Sequence, residues 1–263
     1  MKHLGHHLSA NISIMFTEHP YLRRFASARD AGFEIVETWW PFSGPTPSDG
    51  EVTAWIDAAL SADVQVDAIN FYAGDMAAGE RGVCALPGRH AELSASLPTL
   101  RRLAEATNCQ KFNLLYGQPD QSDHPRHAAL AYREAAREVA SFGGSVLIEP
   151  LAAGLNGTYP LLTHDDVESF VDTHLPDVKN IGLLLDTFHL GSNSVDPATA
   201  FASSVPVRHV QIADTPGRGE PGTGNLRWPD FFEALTTSSY HGVVGCEYRP
   251  VTTTEASVGW IRA

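Results

Sequence analysis

The chain alternates short β-rich runs with longer helical stretches from one end to the other. Several runs are almost continuously apolar, as in residues 181–185, and such runs are typical of parallel strands that are covered on both faces. The predicted strands span residues 8–14, 35–40, 64–71, 111–116, 145–149, 181–186, 207–213 and 243–248. Eight strands alternating with helices predict one α/β domain over residues 1–263, a closed (β/α)8 TIM barrel.

Helix signals lie between these strands. A helix is predicted over residues 126–141 because Ala129, Tyr132 and Ala136 fall on one stripe at helical spacing. Ser48 with Glu51, and Thr163 with Asp166, both fit a capping box. The structural alternative is a doubly wound open sheet, which usually carries a glycine-rich phosphate turn after its first strand. Residues 13–17 are nothing like such a turn, so the barrel is favoured.

Charge and cysteine content restrict the partners. Lys and Arg total 18 against 31 Asp and Glu, a net charge of −13, which argues against nucleic acid and against an anionic membrane surface. The three cysteines form no CxxC pair, and neither a secretion signal nor an apolar run of about 20 residues is present. We therefore expect a cytoplasmic protein that acts on a small molecule.

Polar side chains at the ends of four predicted strands indicate a site, because the site of a barrel lies at the carboxyl ends of its strands. Glu149, Asp186, Gln211 and Glu247 follow one another at spacings of about one strand-helix unit. The three carboxylates would repel one another in a partly dry cavity unless protons or a cation neutralised them. With the Gln211 amide oxygen they form a hard ligand set that favours Mg²⁺ or Mn²⁺, with Zn²⁺ possible. The alternative is that these acids cap helices or form ion pairs.

Other residues near the strand ends could complete such a site. His189 could place a donor beside Asp186, and Arg218 could pair with an anionic substrate from a loop that has four glycines in residues 216–224. The adjacent Trp39 and Trp40 are expected to belong to the core or to a subunit interface. The loop at residues 73–82 could cover the site.

Longer motifs make the resemblance to a known family specific. The chain carries SANIS at 9–13, AGDMAAGERG at 73–82, LIEP at 147–150, QIAD at 211–214, GRGEPGTG at 217–224 and GCEYRP at 245–250. With these motifs it resembles the hydroxypyruvate isomerase family, within the wider xylose-isomerase-like barrels, over essentially its whole length.

The resemblance implies roles for individual residues. Glu149, Asp186, Gln211 and Glu247 match the metal-ligand positions, and Glu149 and Glu247 are also the proton-transfer pair. Substrate contacts are expected from His189, Arg218, Asn70 and Glu220. The epimerase branch usually has histidine at the position of Gln211, which favours the hydroxypyruvate isomerase branch. The segment AINFY at 68–72 departs from the histidine-asparagine pair expected there.

The activity implied is metal-dependent aldose-ketose isomerisation of a small hydroxy-oxo acid, first of all hydroxypyruvate to 2-hydroxy-3-oxopropanoate (tartronate semialdehyde) through an enediolate. The alternatives are a 2-oxo-tetronate isomerase, a keto-sugar 3-epimerase, and a lyase or dehydratase that uses the same site. A sugar-acid binding protein is the non-enzymatic alternative, and an abasic-site nuclease is disfavoured by the charge. A homo-oligomer, dimer or tetramer, would be typical of similar barrels.

Overall fold

A computed structural model describes residues 1–262 of the chain and shows one ring of parallel strands. The strands are β1 His6–Asn11, β2 Ile35–Thr38, β3 Gln65–Asn70, β4 Lys111–Asn113, β5 Ser145–Ile148, β6 Ile181–Asp186, β7 Val207–Ile212 and β8 Val244–Cys246. Each strand pairs in parallel with the next, and β8 pairs with β1, with Ala10 opposite Cys246. The ring is therefore closed, which confirms the predicted barrel and excludes the open sheet.

Helices connect the strands and cover the outside of the ring. They are α1 Arg24–Asp30, α2 Asp49–Ser61, α3 His90–Thr107, α4 His124–Ala140, α5 His164–His174, α6 Thr187–Ser192, α7 Trp228–Thr237 and α8 Thr254–Ser257. Both predicted capping boxes are present, at the start of α2 and of α5. Helix α4 begins two residues before its predicted start because Pro125 occupies its first turn, where no backbone N–H is needed for a helical hydrogen bond.

Four short 3₁₀ segments and one hairpin strand complete the described chain. The 3₁₀ segments are Tyr21–Arg23, Pro87–Arg89, Pro197–Ala202 and Gly259–Arg262, and the strand Lys2–His3 pairs antiparallel with β1. Among residues 1–262, no helix has both the length and the apolar character that crossing a bilayer requires.

The inside of the ring contains a buried polar layer as well as apolar side chains. Glu37 on β2 is 1% exposed, and the lack of a side chain at Gly245 on β8 leaves room for it. A Cβ atom at Gly245 would lie 2.6 Å from Glu37 Oε1, well inside contact distance. The φ angle of Gly245 is not in the left-handed region, so backbone conformation does not require glycine here. Glycine is required because a side chain would collide with the Glu37 carboxylate.

Candidate active site

A cavity of about 70 Å³ opens at the carboxyl ends of the strands. Five of the eight residues predicted for the site line it: Asn70, Glu149, His189, Arg218 and Glu247. Asp186 and Gln211 are buried directly beside this group, at 1% and 4% exposure. The cavity therefore lies where a barrel places its site.

Glu149, Asp186 and His189 form the tightest cluster of possible metal ligands. One donor atom of each lies within 4.8 Å of the others, and all three side chains are buried. Asn113 Nδ2 donates a hydrogen bond of 2.6 Å to Glu149 Oε2 and fixes that carboxylate. Burial raises the pKa of Glu149, and the negative charge of Asp186 raises it further. Burial also raises the pKa of Asp186, so this cluster favours a bound proton or a cation.

Gln211 presents an unused acceptor beside these acids. Its Nε2 donates to Glu37 Oε1 at 2.8 Å, which fixes the orientation of the amide. Its buried Oε1 has no hydrogen-bond partner among the described residues. An orphaned amide oxygen beside buried carboxylates fits a hard divalent cation, because oxygen donors of this kind are the ligands that Mg²⁺ and Mn²⁺ prefer.

Arg218 holds Glu247 and Asp186 together. Its Nη2 donates to Glu247 Oε2 at 2.8 Å and to Asp186 Oδ2 at 2.9 Å, and its guanidinium lies over the Phe188 ring. Burial opposes the charge of Arg218, but Glu247 and Asp186 outweigh burial and raise its pKa. Burial raises the pKa of Glu247 despite Arg218. The guanidinium thus supplies positive charge between two of the four predicted metal ligands.

His189 is a hydrogen-bond donor toward the cavity. The backbone N–H of Ala152 donates to His189 Nδ1 at 3.0 Å, so a neutral ring carries its proton on Nε2. Burial, with the charges of Arg218 and Arg81, lowers the pKa of His189 well below its usual range and keeps the ring neutral. Nε2 lies 3.1 Å from Arg218 Nη1, and with the proton on Nε2 these two N–H groups are close together without a described acceptor between them. An acceptor oxygen of a ligand would satisfy both.

The glycine-rich loop is organised around Asp214. Its carboxylate accepts from the backbone N–H groups of Thr215, Gly222 and Leu226 and from Trp228 Nε1. Burial raises the pKa of Asp214, but these hydrogen bonds outweigh burial and lower it. The loop holds Arg218 at a φ of 59°, in the left-handed region, and the Arg218 side chain lines the cavity.

Four buried polar residues on the strands, which hydrogen-bond to the predicted site residues or to one another, were not predicted from the sequence. The carboxylate of Glu37 accepts hydrogen bonds from Ser9, Asn11, His209 and Gln211, the shortest being 2.6 Å from His209 Nε2. Asn11 also donates to Glu247, and Asn113 to Glu149. A polar residue inside an otherwise apolar strand was the available signal for Asn11, Glu37, Asn113 and His209.

The placement of Trp39 corrects one expectation, and Glu220 lies outside the cavity. The Trp39 indole Nε1 donates to Glu247 Oε1 at 2.5 Å, so Trp39 belongs to the site and is not merely core. Trp40 is buried, with its indole donating to the Gly44 carbonyl, as a core residue would. Glu220 accepts from the backbone N–H of Val251 and does not line the cavity.

Comparison with known proteins agrees with this architecture. The model of the xylose isomerase-like TIM barrel family matches residues 25–263. The 2-oxo-tetronate isomerase of Cupriavidus necator is 34% identical over 97% of this chain and 96% of its own. The hydroxypyruvate isomerase of Escherichia coli K12 is 32% identical over 96% and 97%. A crystal structure described as AP endonuclease, family 2, from Brucella melitensis superposes with a TM-score of 0.87 at 29% identity, covering 98% of both chains. The chain belongs to the xylose isomerase-like TIM barrel family and, like these curated relatives, is an isomerase.

Proposed function

We propose that this isomerase interconverts a small hydroxy-oxo acid and its carbonyl isomer, with hydroxypyruvate and 2-hydroxy-3-oxopropanoate as the first pair. The observation that carries the proposal is the placement of two buried glutamates, Glu149 after β5 and Glu247 after β8, on one small cavity. Aldose-ketose isomerisation needs a group that removes a proton from one carbon and a group that returns a proton to its neighbour. The names of the relatives from Escherichia coli and Cupriavidus necator support this substrate class.

The residues of the chain divide this work. One glutamate takes a proton from the hydroxyl-bearing carbon of hydroxypyruvate and leaves an enediolate. A proton is then delivered to the former carbonyl carbon, and a proton moves between the two oxygens, so the atoms balance. The raised pKa of Glu149 suits a carboxylate that must hold a proton, and Asn113 fixes its orientation. Asn11 and Trp39 hold the other glutamate, Glu247.

A divalent cation fits the donor set, since Gln211 Oε1 is orphaned beside acids whose pKa values are raised. Glu149, Asp186, Gln211 and Glu247 would hold it, and Mg²⁺ or Mn²⁺ is favoured over Zn²⁺ by the all-oxygen set. Such a cation supplies Lewis acidity that stabilises negative charge developing on substrate oxygens. His189 Nε2–H and Arg218 Nη1 donate to the same region and orient those oxygens.

A four-carbon 2-oxo-tetronate is the second candidate substrate. A larger groove of about 400 Å³ adjoins the cavity and shares Trp39 and Met76 with it, so an additional carbon has room. Keto-sugar 3-epimerisation has weaker support. The L-ribulose 3-epimerase structure is 19% identical with a TM-score of 0.72, and such a likeness shows the fold alone.

The setting proposed for the enzyme is the cytoplasm, where a reducing environment suits three cysteines that are all free and buried. A net charge of −13 supports a small-molecule partner rather than nucleic acid. We also propose a homo-oligomer, dimer or tetramer, which light scattering after size-exclusion chromatography would test.

The test follows hydroxypyruvate by proton NMR in deuterated buffer, with chelator-treated protein and after addition of Mg²⁺ or Mn²⁺. We expect metal-dependent formation of 2-hydroxy-3-oxopropanoate, abolished in Glu149→Gln and in Glu247→Gln but not in the exposed control Glu105→Gln. Near-normal turnover by either active-site variant would refute the assignment of the proton shuttle. Solvent exchange without product would retain enediolate chemistry and favour the four-carbon substrate.

A further inference from the structure

Arg81 and Arg249 line the same cavity as the glutamates and have no carboxylate partner among residues 1–262. Arg218, the third arginine of the cavity, is already paired with Asp186 and Glu247. The cavity therefore contains two guanidinium groups that form no ion pair with a described carboxylate.

The guanidinium of Arg81 is held in place by its own loop and by Asn156, which follows β5. Nε donates to Asn156 Oδ1 at 2.9 Å, and Nη1 donates to the carbonyls of Met76 and Glu80 at 3.1 and 2.7 Å. Nη2 has no acceptor among the described residues, so its two N–H groups remain for a ligand. A guanidinium that is already fixed loses little conformational entropy when it binds.

Arg249 stands at the rim of the cavity. Its backbone N–H donates to the Arg218 carbonyl at 2.7 Å, which ties the segment after β8 to the glycine-rich loop. The Arg249 side chain is exposed and donates to no described residue. Burial lowers the pKa of Arg81, and the positive charge of Arg218 lowers it further; the Glu149 carboxylate acts in the opposite direction, and Arg249 again lowers it.

We propose that Arg81 and Arg249 form a binding subsite for the carboxylate of the substrate. The subsite rests on the proposed function, because it takes this cavity as the isomerase site. Arg81 and Arg249 line the cavity together with Glu149, and Asp186 is buried beside it, so the cavity offers a ligand both cations without a described ion-pair partner and buried acids. An anionic substrate is thereby oriented with its carboxylate toward the arginines and its carbonyl and hydroxyl oxygens toward the acids. The subsite selects hydroxy-oxo acids over neutral ketoses of equal length.

The experiment measures binding separately from turnover. Glycerate, which has a carboxylate and two hydroxyls but no carbonyl to isomerise, is titrated calorimetrically into the protein with Mg²⁺ present, and glycerol is the neutral probe. Arg81→Met is expected to weaken glycerate binding about 10-fold to 100-fold, the range for a lost charged hydrogen bond, and to leave glycerol unaffected. Arg249→Met is expected to weaken it several-fold and to reduce its dependence on salt.

Three control variants distinguish direct contact between Arg81 and glycerate from indirect effects on the loop or on the overall charge. Arg81→Lys retains the charge and should recover part of the affinity. Arg89→Met removes an arginine that supports the same loop through Glu80 and Glu92 without lining the cavity. Arg227→Met removes an exposed charge elsewhere. Arg227→Met should bind glycerate as the unmodified protein does, and Arg89→Met should lose clearly less affinity than Arg81→Met.

The proposal is overturned if the unmodified protein does not bind glycerate, if Arg81→Met and Arg249→Met both bind it within twofold of that protein, or if Arg89→Met loses as much affinity as Arg81→Met. Should hydroxypyruvate be isomerised with an unchanged KM in both cavity variants, the subsite fails while the proposed function stands. Arginine-dependent glycerate binding without any isomerisation would have the opposite meaning: the subsite stands and the reaction fails.

Discussion

Glu37 is the residue whose removal should most disturb the site without touching the substrate. Its carboxylate, 1% exposed, accepts from Ser9, Asn11, His209 and Gln211. Glu37→Met retains similar bulk but removes every acceptor, so several buried donors lose their partner together. Breaking a buried ionic network by removing one partner costs about 3–5 kcal/mol of the free energy of unfolding. In a chain of this size that corresponds to a fall in Tm of roughly 10 °C.

A second effect of Glu37→Met separates a role in the site from a role in stability. Gln211 Nε2 loses the acceptor that fixes its amide, so Gln211 Oε1 is no longer held beside the acids. Loss of a residue that orients a metal ligand typically weakens metal affinity about 10-fold to 100-fold. We therefore expect Mn²⁺ affinity, measured by calorimetry or by electron paramagnetic resonance of free Mn²⁺, to fall by that factor.

The matched control is Glu34→Met, the same substitution at an exposed position just before β2. It should change neither Tm nor Mn²⁺ affinity appreciably. A Glu37→Met protein with unaltered Mn²⁺ affinity would refute the orienting role even if its Tm fell, and an unaltered Tm would refute the energetic reasoning as well.

Two further predictions concern pH and packing. The pKa of Glu149 is raised to about 8 in the fold, so its contribution to stability is complete below its unfolded value near 4.5 and is lost as pH rises through 8. Metal-free protein should therefore lose Tm between pH 5 and 9 more steeply than Glu149→Gln in parallel thermal scans, and added Mn²⁺ should restore the lost Tm. A Cβ at Gly245 would collide with the Glu37 carboxylate, so Gly245→Ala should destabilise the fold by about 1–3 kcal/mol in denaturant titrations. A Gly245→Ala protein as stable as the unmodified chain would refute this, because it would show that β8 or Glu37 shifts to make room for the methyl group without loss of stability.

The order of the strands and helices and the position of the site could be predicted because each depends on the pattern of apolar and polar residues in a short stretch of sequence. Apolar runs of four to eight residues predicted the strands, and a carboxylate directly after such a run falls at the carboxyl end of the ring, as for Glu149. The strands are shorter than predicted where they approach the cavity; β4, for example, ends at Asn113 and not at residue 116. Their last residues leave the ladder to line the cavity, as Leu115 does.

Arg81 and Trp39 could not be predicted in the same way, and Arg218 was predicted as an anion-binding residue but not as the partner of Asp186 and Glu247. Each lies on a loop, and a long side chain on a loop reaches the cavity only if the backbone of that loop directs it there. Arg218 depends on the hydrogen bonds of Asp214 and on a left-handed φ, and Arg81 depends on the carbonyls of Met76 and Glu80. Neither arrangement follows from residue type or spacing.

The buried polar residues inside the ring orient the side chains of the site. Other polar groups orient two of the buried oxygen ligands: Glu37 orients Gln211, and Asn11, Trp39 and Arg218 orient Glu247. Glu37 in turn needs its donors, and His209 provides the shortest of these hydrogen bonds. His209 also lies 3.5 Å from Asp67, which is paired with Lys111 near the opposite end of the strands. An interior filled only with Val, Ile and Leu would leave the ligands free to rotate, and so polar residues inside apolar strands indicate which strand ends carry the site.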